Sequence, residues 1–316
     1  MTYAVCDNTQ RIRFEKPDLA EMTKNYTVVD LHFHSRHSDG SNSIEQIAHY
    51  AKQLNIGIAI TDHNAVDGAV EIDAYKDVFS IPGIEVTSLE GAHIIVYFYD
   101  IKSLQQFYAH EVRPFMGTDI MSSTTLRMEE IITRARNYRS VVIFPHPSCA
   151  VYTGVCNTYF PEARRQELFK MVDGVEVINS GNLKKQNLKC ALLGFNLDKA
   201  ITGGSDGHLL GHMGKVVTYA NCRPERRAFL DAVKKKRNKV VGKEINLFRK
   251  MTANGFKLKS NFRNRTDLIE KNIKYGYTLI HTKSKALQEN VRRSLNGKLR
   301  RRIKTKSYHY DYLGLA

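Results

Sequence analysis

An α/β barrel is the fold this sequence predicts, and three observations predict it. Between Tyr26 and about Ala220, short apolar runs rich in β-branched residues alternate with segments of helical spacing, which is the pattern of a sheet covered by helices. The runs are apolar almost throughout, so both faces of each strand are buried, as in a parallel sheet. The polar residues of interest stand at or just beyond the C-terminal ends of these runs, with the exception of His93, which opens one. Residues from many strand ends meet at one spot only if the strands close on themselves, and this favours a barrel over a doubly wound sheet.

Seven runs read as strands: TVVDLHF (27–33), IGIAITDH (56–63), VFSIPGIEV (78–86), AHIIVYFY (92–99), SVVIFPH (140–146), VDGVEVIN (172–179) and AITGGSD (200–206). Helical spacing lies between most of them, over 45–54, 103–112, 124–138, 164–171 and 183–193. After Arg223 the texture changes. Residues 228–237 read as a helix ending in a KKKR run, 246–265 have no clear period, and 267–274 and 285–304 again have helical spacing. In the last of these, Leu287, Val291, Leu295 and Leu299 form one stripe between basic residues. The expected organisation is an N-terminal segment (1–25), a barrel (26–222) and a basic, partly helical C-terminal region (223–316).

With 316 residues, 42% of them hydrophobic, the chain can bury a sizeable core. It has no run of 18 apolar residues, and its first residues are too polar and mixed in charge for a secretory segment. Five cysteines without a CxxC pair argue against a disulfide framework and fit a reducing compartment, so a cytoplasmic location is expected. The net charge of +16 is unevenly spread. Residues 223–316 hold 27 Lys+Arg against 7 Asp+Glu, or +20, which leaves −4 for residues 1–222. A near-neutral body with a basic end suggests that the end meets something anionic.

The stretch DLHFHSRHSDG packs three histidines and two aspartates into residues 30–40. In a strand His32 and His34 point to the same side, the geometry of two ligands on one metal, although a histidine-rich loop would also explain the pair. Five further pieces occur in order, each at the end or beginning of an apolar run: AITDHN, PGIEV, GAHIIVY, FPHPS and GGSDGH. Together the six motifs resemble the polymerase and histidinol phosphatase (PHP) superfamily, over roughly Tyr26 to Tyr219.

The resemblance implies a distorted seven-stranded (β/α)7 TIM-like barrel holding two or three divalent ions, commonly manganese, zinc or iron, for phosphoester hydrolysis. Carried over by matched position, the ligands are His32, His34, Asp39, His63, Glu85, His93, His146, Asp206 and His208. The implied grouping sets His32, His34 and Asp206 on one metal, His93 and His146 on a second, and Asp39, His63 and His208 on a third. Glu85 bridges the first two. Glu85, Asp206 and His208 are also expected to be catalytic. Water between two such ions becomes hydroxide near neutral pH, so no serine or cysteine nucleophile is required.

Among the neighbours, Asp30 and Asp62 read as supports for the ligands rather than ligands themselves. Arg36, His37 and Lys215 are candidate contacts to substrate phosphate, with surface-loop residues as the alternative. Glu176 and Asn179 sit at a strand end and read as hydrogen-bonding residues of the barrel mouth. Tyr275, Tyr277, Tyr308, Tyr310 and Tyr312 add rings to the basic region that could stack on unpaired bases. The expected function is therefore a metal-dependent phosphoesterase, a phosphatase or exonuclease, acting on a nucleotide or a nucleic-acid end. A phosphatase of a small phosphorylated metabolite is one alternative, and a non-enzymatic module that binds nucleic acid or a partner is another.

Overall fold

The computed structural model describes residues 11–149, 153–157 and 160–245. The helices expected over 267–274 and 285–304, and the five tyrosines of the basic region, lie outside the described residues.

The described chain is a mixed α/β fold with two five-stranded sheets. The first contains β1 (Ile12–Arg13), β10 (Lys239–Gly242), β9 (Val216–Ala220), β2 (Thr27–Phe33) and β3 (Gly57–Ile60), in that order. The second runs β4 (Gly83–Thr87), β5 (His93–Phe98), β6 (Ser140–Phe144), β7 (Gly174–Asn179) and β8 (Ala200–Gly204). Every residue of TVVDLHF is buried, as its apolar run implies.

Two expectations need correction. The sheets are not wholly parallel: β9 runs antiparallel to β2 and to β10, and β5 runs antiparallel to β4 and to β6. Nor do the described strands close into one ladder. Between the sheets, strand pairing is limited to isolated bridges at Phe33–Gly207, Ile58–Ser80 and His63–Glu85 among the described residues. The reason is local. Between β3 and β4 and between β2 and the end of β8, pairing is limited to single bridges, and within the sheets the β2–β3 register shifts between Asp30 and Phe33 and the β7–β8 register between Glu176 and Ile178. Both irregularities fall beside the candidate ligands.

Helices cover the sheets with their apolar faces. In α2 (Ile44–Gln53), Ser43 and Gln46 form a reciprocal cap at the N-terminus, while Ile44, Ile47, Ala48 and Ala51 turn inward. Each fully buried isoleucine contributes about 1.5–3 kcal/mol to folding. The short helix α3 (Asp67–Asp73) follows the AITDHN motif and carries Glu71, which receives His37 below. Helix α5 (Met128–Ala135) buries Met128, Ile131, Ile132 and Ala135. Helix α8 (Arg226–Lys234) buries Phe229, Leu230, Ala232 and Val233, and β10 and β1 extend the first sheet beyond it. No described helix is long and apolar enough to cross a membrane.

Candidate metal centre

The nine expected donors come from both sheets, from strands or from the loops that follow them. His32 lies on β2 and His34 just beyond it. Their rings share a side of the backbone, and their Nε2 atoms are 3.2 Å apart. Asp206 follows β8, and its Oδ1 is 3.5 Å from His32 Nε2 and 3.2 Å from His34 Nε2. The approach depends on glycine. A Cβ on Gly204 would lie 2.4 Å from His32 Cβ and 2.6 Å from the His32 backbone nitrogen, so no larger residue fits there.

Glu85, on β4, occupies the middle of the cluster. Its Oε2 lies 3.4 Å from the Nε2 atoms of both His32 and His34 and 3.2 Å from His63 Nδ1. Its Oε1 lies 2.9 Å from His93 Nδ1 and 3.2 Å from His146 Nε2. On the far side, Asp39 Oδ2 lies 2.9 Å from His208 Nε2, and Asp39 Oδ1 is 3.7 Å from His34 Nδ1 and 3.9 Å from His63 Nε2. Among the described residues, three of the six positive-φ residues other than glycine, Asn64 (46°), His146 (30°) and Asp206 (50°), are at or beside the cluster. Backbone strain of this kind persists only where the surrounding structure holds it.

Four trios of ligand atoms are close enough to share an ion: His32, His34 and Asp206; His32, Glu85 and His146; His34, Asp39 and His208; and His34, His63 and Glu85. The first is the trio expected on one metal. His34 takes a larger part than expected, and His93, though hydrogen-bonded to Glu85, joins no trio.

The proton positions test whether the donors fit cations. His208 Nδ1 is 2.9 Å from the Asp206 carbonyl oxygen, which can only accept, so Nδ1 carries a proton. In neutral imidazole, Nε2 then presents a lone pair to the Asp39 carboxylate, another acceptor. His32 repeats the pattern at Nδ1, which donates to Glu176 Oε1 at 3.0 Å and leaves Nε2, facing Glu85, Asp206 and His34, as the nitrogen available for ligation once it is deprotonated. His63 Nδ1 is buried and lies 3.2 Å from Glu85 without hydrogen-bond geometry. Ring nitrogens and carboxylate oxygens that converge this way suit shared cations, which displace the remaining ring protons.

Burial pushes the Glu85 carboxyl up, but His93 and His32, with the hydrogen bond from His146, outweigh it and hold Glu85 well below the ordinary carboxylate range. Asp206 is likewise held low, because His32, His34 and His208 overcome its burial. Burial also dominates at His63, whose pKa falls to about 3, which keeps its ring neutral at physiological pH.

A layer of buried acceptors supports the donors. Asp30 takes the backbone N–H groups of Ser205 (2.8 Å) and Gly214 (2.9 Å) and ties β2 to the loop carrying Asp206 and His208. Asp62 takes Ser35 through its N–H (2.7 Å) and hydroxyl (2.6 Å), and the Ser38 hydroxyl (2.6 Å), shaping the loop that bears Asp39. Glu176 and Asn179 belong to the same layer, not to the rim of a mouth. Sequence reasoning treated them as bland because only their partners in space reveal the contacts. The candidate phosphate contacts are less central. His37 turns its ring to Glu71 at 2.9 Å, Arg36 is exposed, and neither Arg36 nor Lys215 makes a side-chain hydrogen bond or ion pair with the nine donors.

A mixed α/β scaffold around a pocket of imidazoles and carboxylates defines a class of proteins built to hold metal ions. Residues 30–247 match the PHP domain model, and the chain belongs to the PHP family. An uncharacterized protein of Methanocaldococcus jannaschii is 29% identical over 167 residues, covering 48% of this chain and 81% of that one. Two solved structures share the fold at low identity. One is a two-domain protein of Bacteroides vulgatus described as containing a predicted PHP-like metal-dependent phosphoesterase (17% identity, TM-score 0.50, covering 76% of this chain and 72% of that one). The other is the lesion-specific endonuclease PfuEndoQ of Pyrococcus furiosus (17%, TM-score 0.54, 68% of this chain but 57% of that one).

Proposed function

We propose that this chain is a metal-dependent phosphoesterase that uses two or three divalent ions and acts on a nucleotide or a nucleic-acid end. The observation that carries the reading is the convergence on Glu85: one buried carboxylate reaches five histidines, with Asp206 and Asp39 on either side. His32, His34, Asp39, His63, Glu85, His93, His146, Asp206 and His208 would hold the ions. Bound divalent ions supply an activated water and neutralise the phosphoryl oxygens.

The protein's own part is placement and charge. Six neutral imidazoles and three carboxylates sum to −3, so two or three divalent ions leave a net positive pocket that attracts a phosphate. Asp206 is the most open of the three carboxylates, with 22% of its side chain exposed against 6% for Asp39 and 1% for Glu85. It is the one suited to meet substrate. His208 Nδ1, hydrogen-bonded to the Asp206 carbonyl, keeps Nε2 aimed into the cluster.

The preference for nucleic acid or nucleotides rests on the basic region and on the likeness of fold to PfuEndoQ. The division into a metal-binding body and a basic end belongs to the same proposal. The test is a hydrolysis screen with manganese over mononucleotides, nucleoside bisphosphates, single-stranded RNA and DNA, and sugar and amino-alcohol phosphates. Release of phosphate or mononucleotide from nucleotide substrates supports the reading. Turnover confined to the small metabolites overturns the substrate assignment.

A further inference from the structure

Glu176 lies outside the nine donors, yet it contacts two of them in different ways. It is 2% exposed and stands on β7. Its Oε1 accepts from the His32 ring at Nδ1 (3.0 Å), and its Oε2 accepts from the backbone N–H of His146 (2.8 Å) and from Asn179 Nδ2 (2.9 Å). Asn179 Nδ2 also reaches Asp206 Oδ2 at 3.3 Å. One carboxylate thus links three ligands from three separate strand ends.

Each link has a consequence. By accepting the hydrogen bond from His32 Nδ1–H, Glu176 keeps the proton on Nδ1 and leaves Nε2, the nitrogen that faces Glu85, Asp206 and His34, as the one that deprotonates to bind an ion. By holding the His146 N–H it fixes a backbone at φ 30°, a conformation further disfavoured because His146 precedes Pro147. Without that acceptor, His146 relaxes and its Nε2 leaves Glu85 Oε1. We propose, on the reading of this centre as a metal site, that Glu176 is a positioning residue that sets the affinity of the ion shared by His32, Glu85 and His146.

Glutamine cannot replace it, although its shape is the same. With the amide oxygen at the Oε2 position, its NH2 group faces His32 Nδ1 and forces the proton onto Nε2, where it blocks ligation. With the oxygen at Oε1, the NH2 group meets the donors of His146 and Asn179. The experiment is titration of metal-stripped full-length protein with Co2+, followed by calorimetry and visible absorption, for wild type, E85Q and E176Q. E176Q is expected to weaken one class of sites by tenfold or more and to change the visible band of that site. Unchanged affinity and spectrum in E176Q, while E85Q loses binding, overturns the role of Glu176 alone. Wild type that binds no cobalt overturns the metal reading itself. If E176Q does not fold, the imidazole 15N shifts of zinc-loaded wild type decide: a proton on His32 Nδ1 is expected, and a proton on Nε2 contradicts the proposal.

Discussion

The Nε2 atoms of His32 and His34 lie 3.2 Å apart, and both face Asp206 Oδ1 and Glu85 Oε2. Two nitrogens of alternate residues on one strand come this close because their rings project from the same side of β2. His34 Nδ1, also buried, has no hydrogen-bond partner. A buried unpaired ring nitrogen is costly unless a ligand uses it or its partner atom.

Asp30 is expected to matter for stability as much as for metal. Its fully buried carboxyl, pushed up to about 6 by burial, accepts from the backbone of His32, Ser205 and Gly214. Asp30→Ala strands those N–H groups and should cost about 3 kcal/mol. Urea denaturation of the metal-stripped protein measures it, and Asp30→Asn should recover part of the loss. Unfolding midpoints equal to wild type would contradict this role.

Gly204→Ala tests the close approach of β8 to β2. The added carbon meets His32 backbone and Cβ, which cannot swing away as a flexible side chain could. A loss of roughly 1–3 kcal/mol is expected, together with weaker metal binding because His32 is displaced. A variant that binds metal normally would show that the two strands have more freedom than this contact implies.

Metal loading should release protons. In the metal-free protein burial pulls His32 down, but Asp206, Glu176 and Glu85 outweigh it and hold its pKa well above the ordinary value; His146 is raised too, burial being overcome by Cys149 and Glu85. Raised values mean that both rings still carry their protons near neutral pH and must lose them to coordinate. Affinity therefore rises with pH. By the same sign, these rings stabilise the metal-free fold fully below the unfolded histidine value of about 6.5 and lose that contribution as pH climbs through their folded values. Calorimetry in two buffers of different ionisation enthalpy counts the protons, and a buffer-independent heat would contradict the expectation.

Much of this centre was legible from residue order. All seven expected runs contain strands, and eight of the nine expected ligands fall in trios of atoms close enough to share an ion, with His93 beside them on Glu85. Strand direction was not legible, since a run buried on both faces looks the same whether its neighbour is parallel or antiparallel. Strand β1, with two residues, is too short to carry a period, and α3 was hidden by the mixed polarity of DGAVEID. The supporting role of Glu176 was illegible for a different reason: its partners are 144 and 30 residues away.

The basic region is expected to govern nucleic-acid affinity. Residues 246–316 hold 18 Lys+Arg against 4 Asp+Glu. Removing them leaves β10 and its pairing with β9 in the chain. At low salt the truncated protein should bind single-stranded RNA or DNA at least tenfold more weakly, with a shallower dependence of affinity on salt. Equal affinity in a fluorescence-anisotropy titration would remove the basic region from the account.

The central claim is that Glu85 and the histidines around it hold catalytic metal. Metal analysis of the purified protein, paired with aryl-phosphate hydrolysis in added manganese, tests it most directly. The account predicts two or three divalent ions per chain, and turnover that falls by at least about 10²–10³-fold in both Glu85→Ala and His146→Ala. Fewer than two ions per chain, with no turnover sensitive to either substitution, would contradict it.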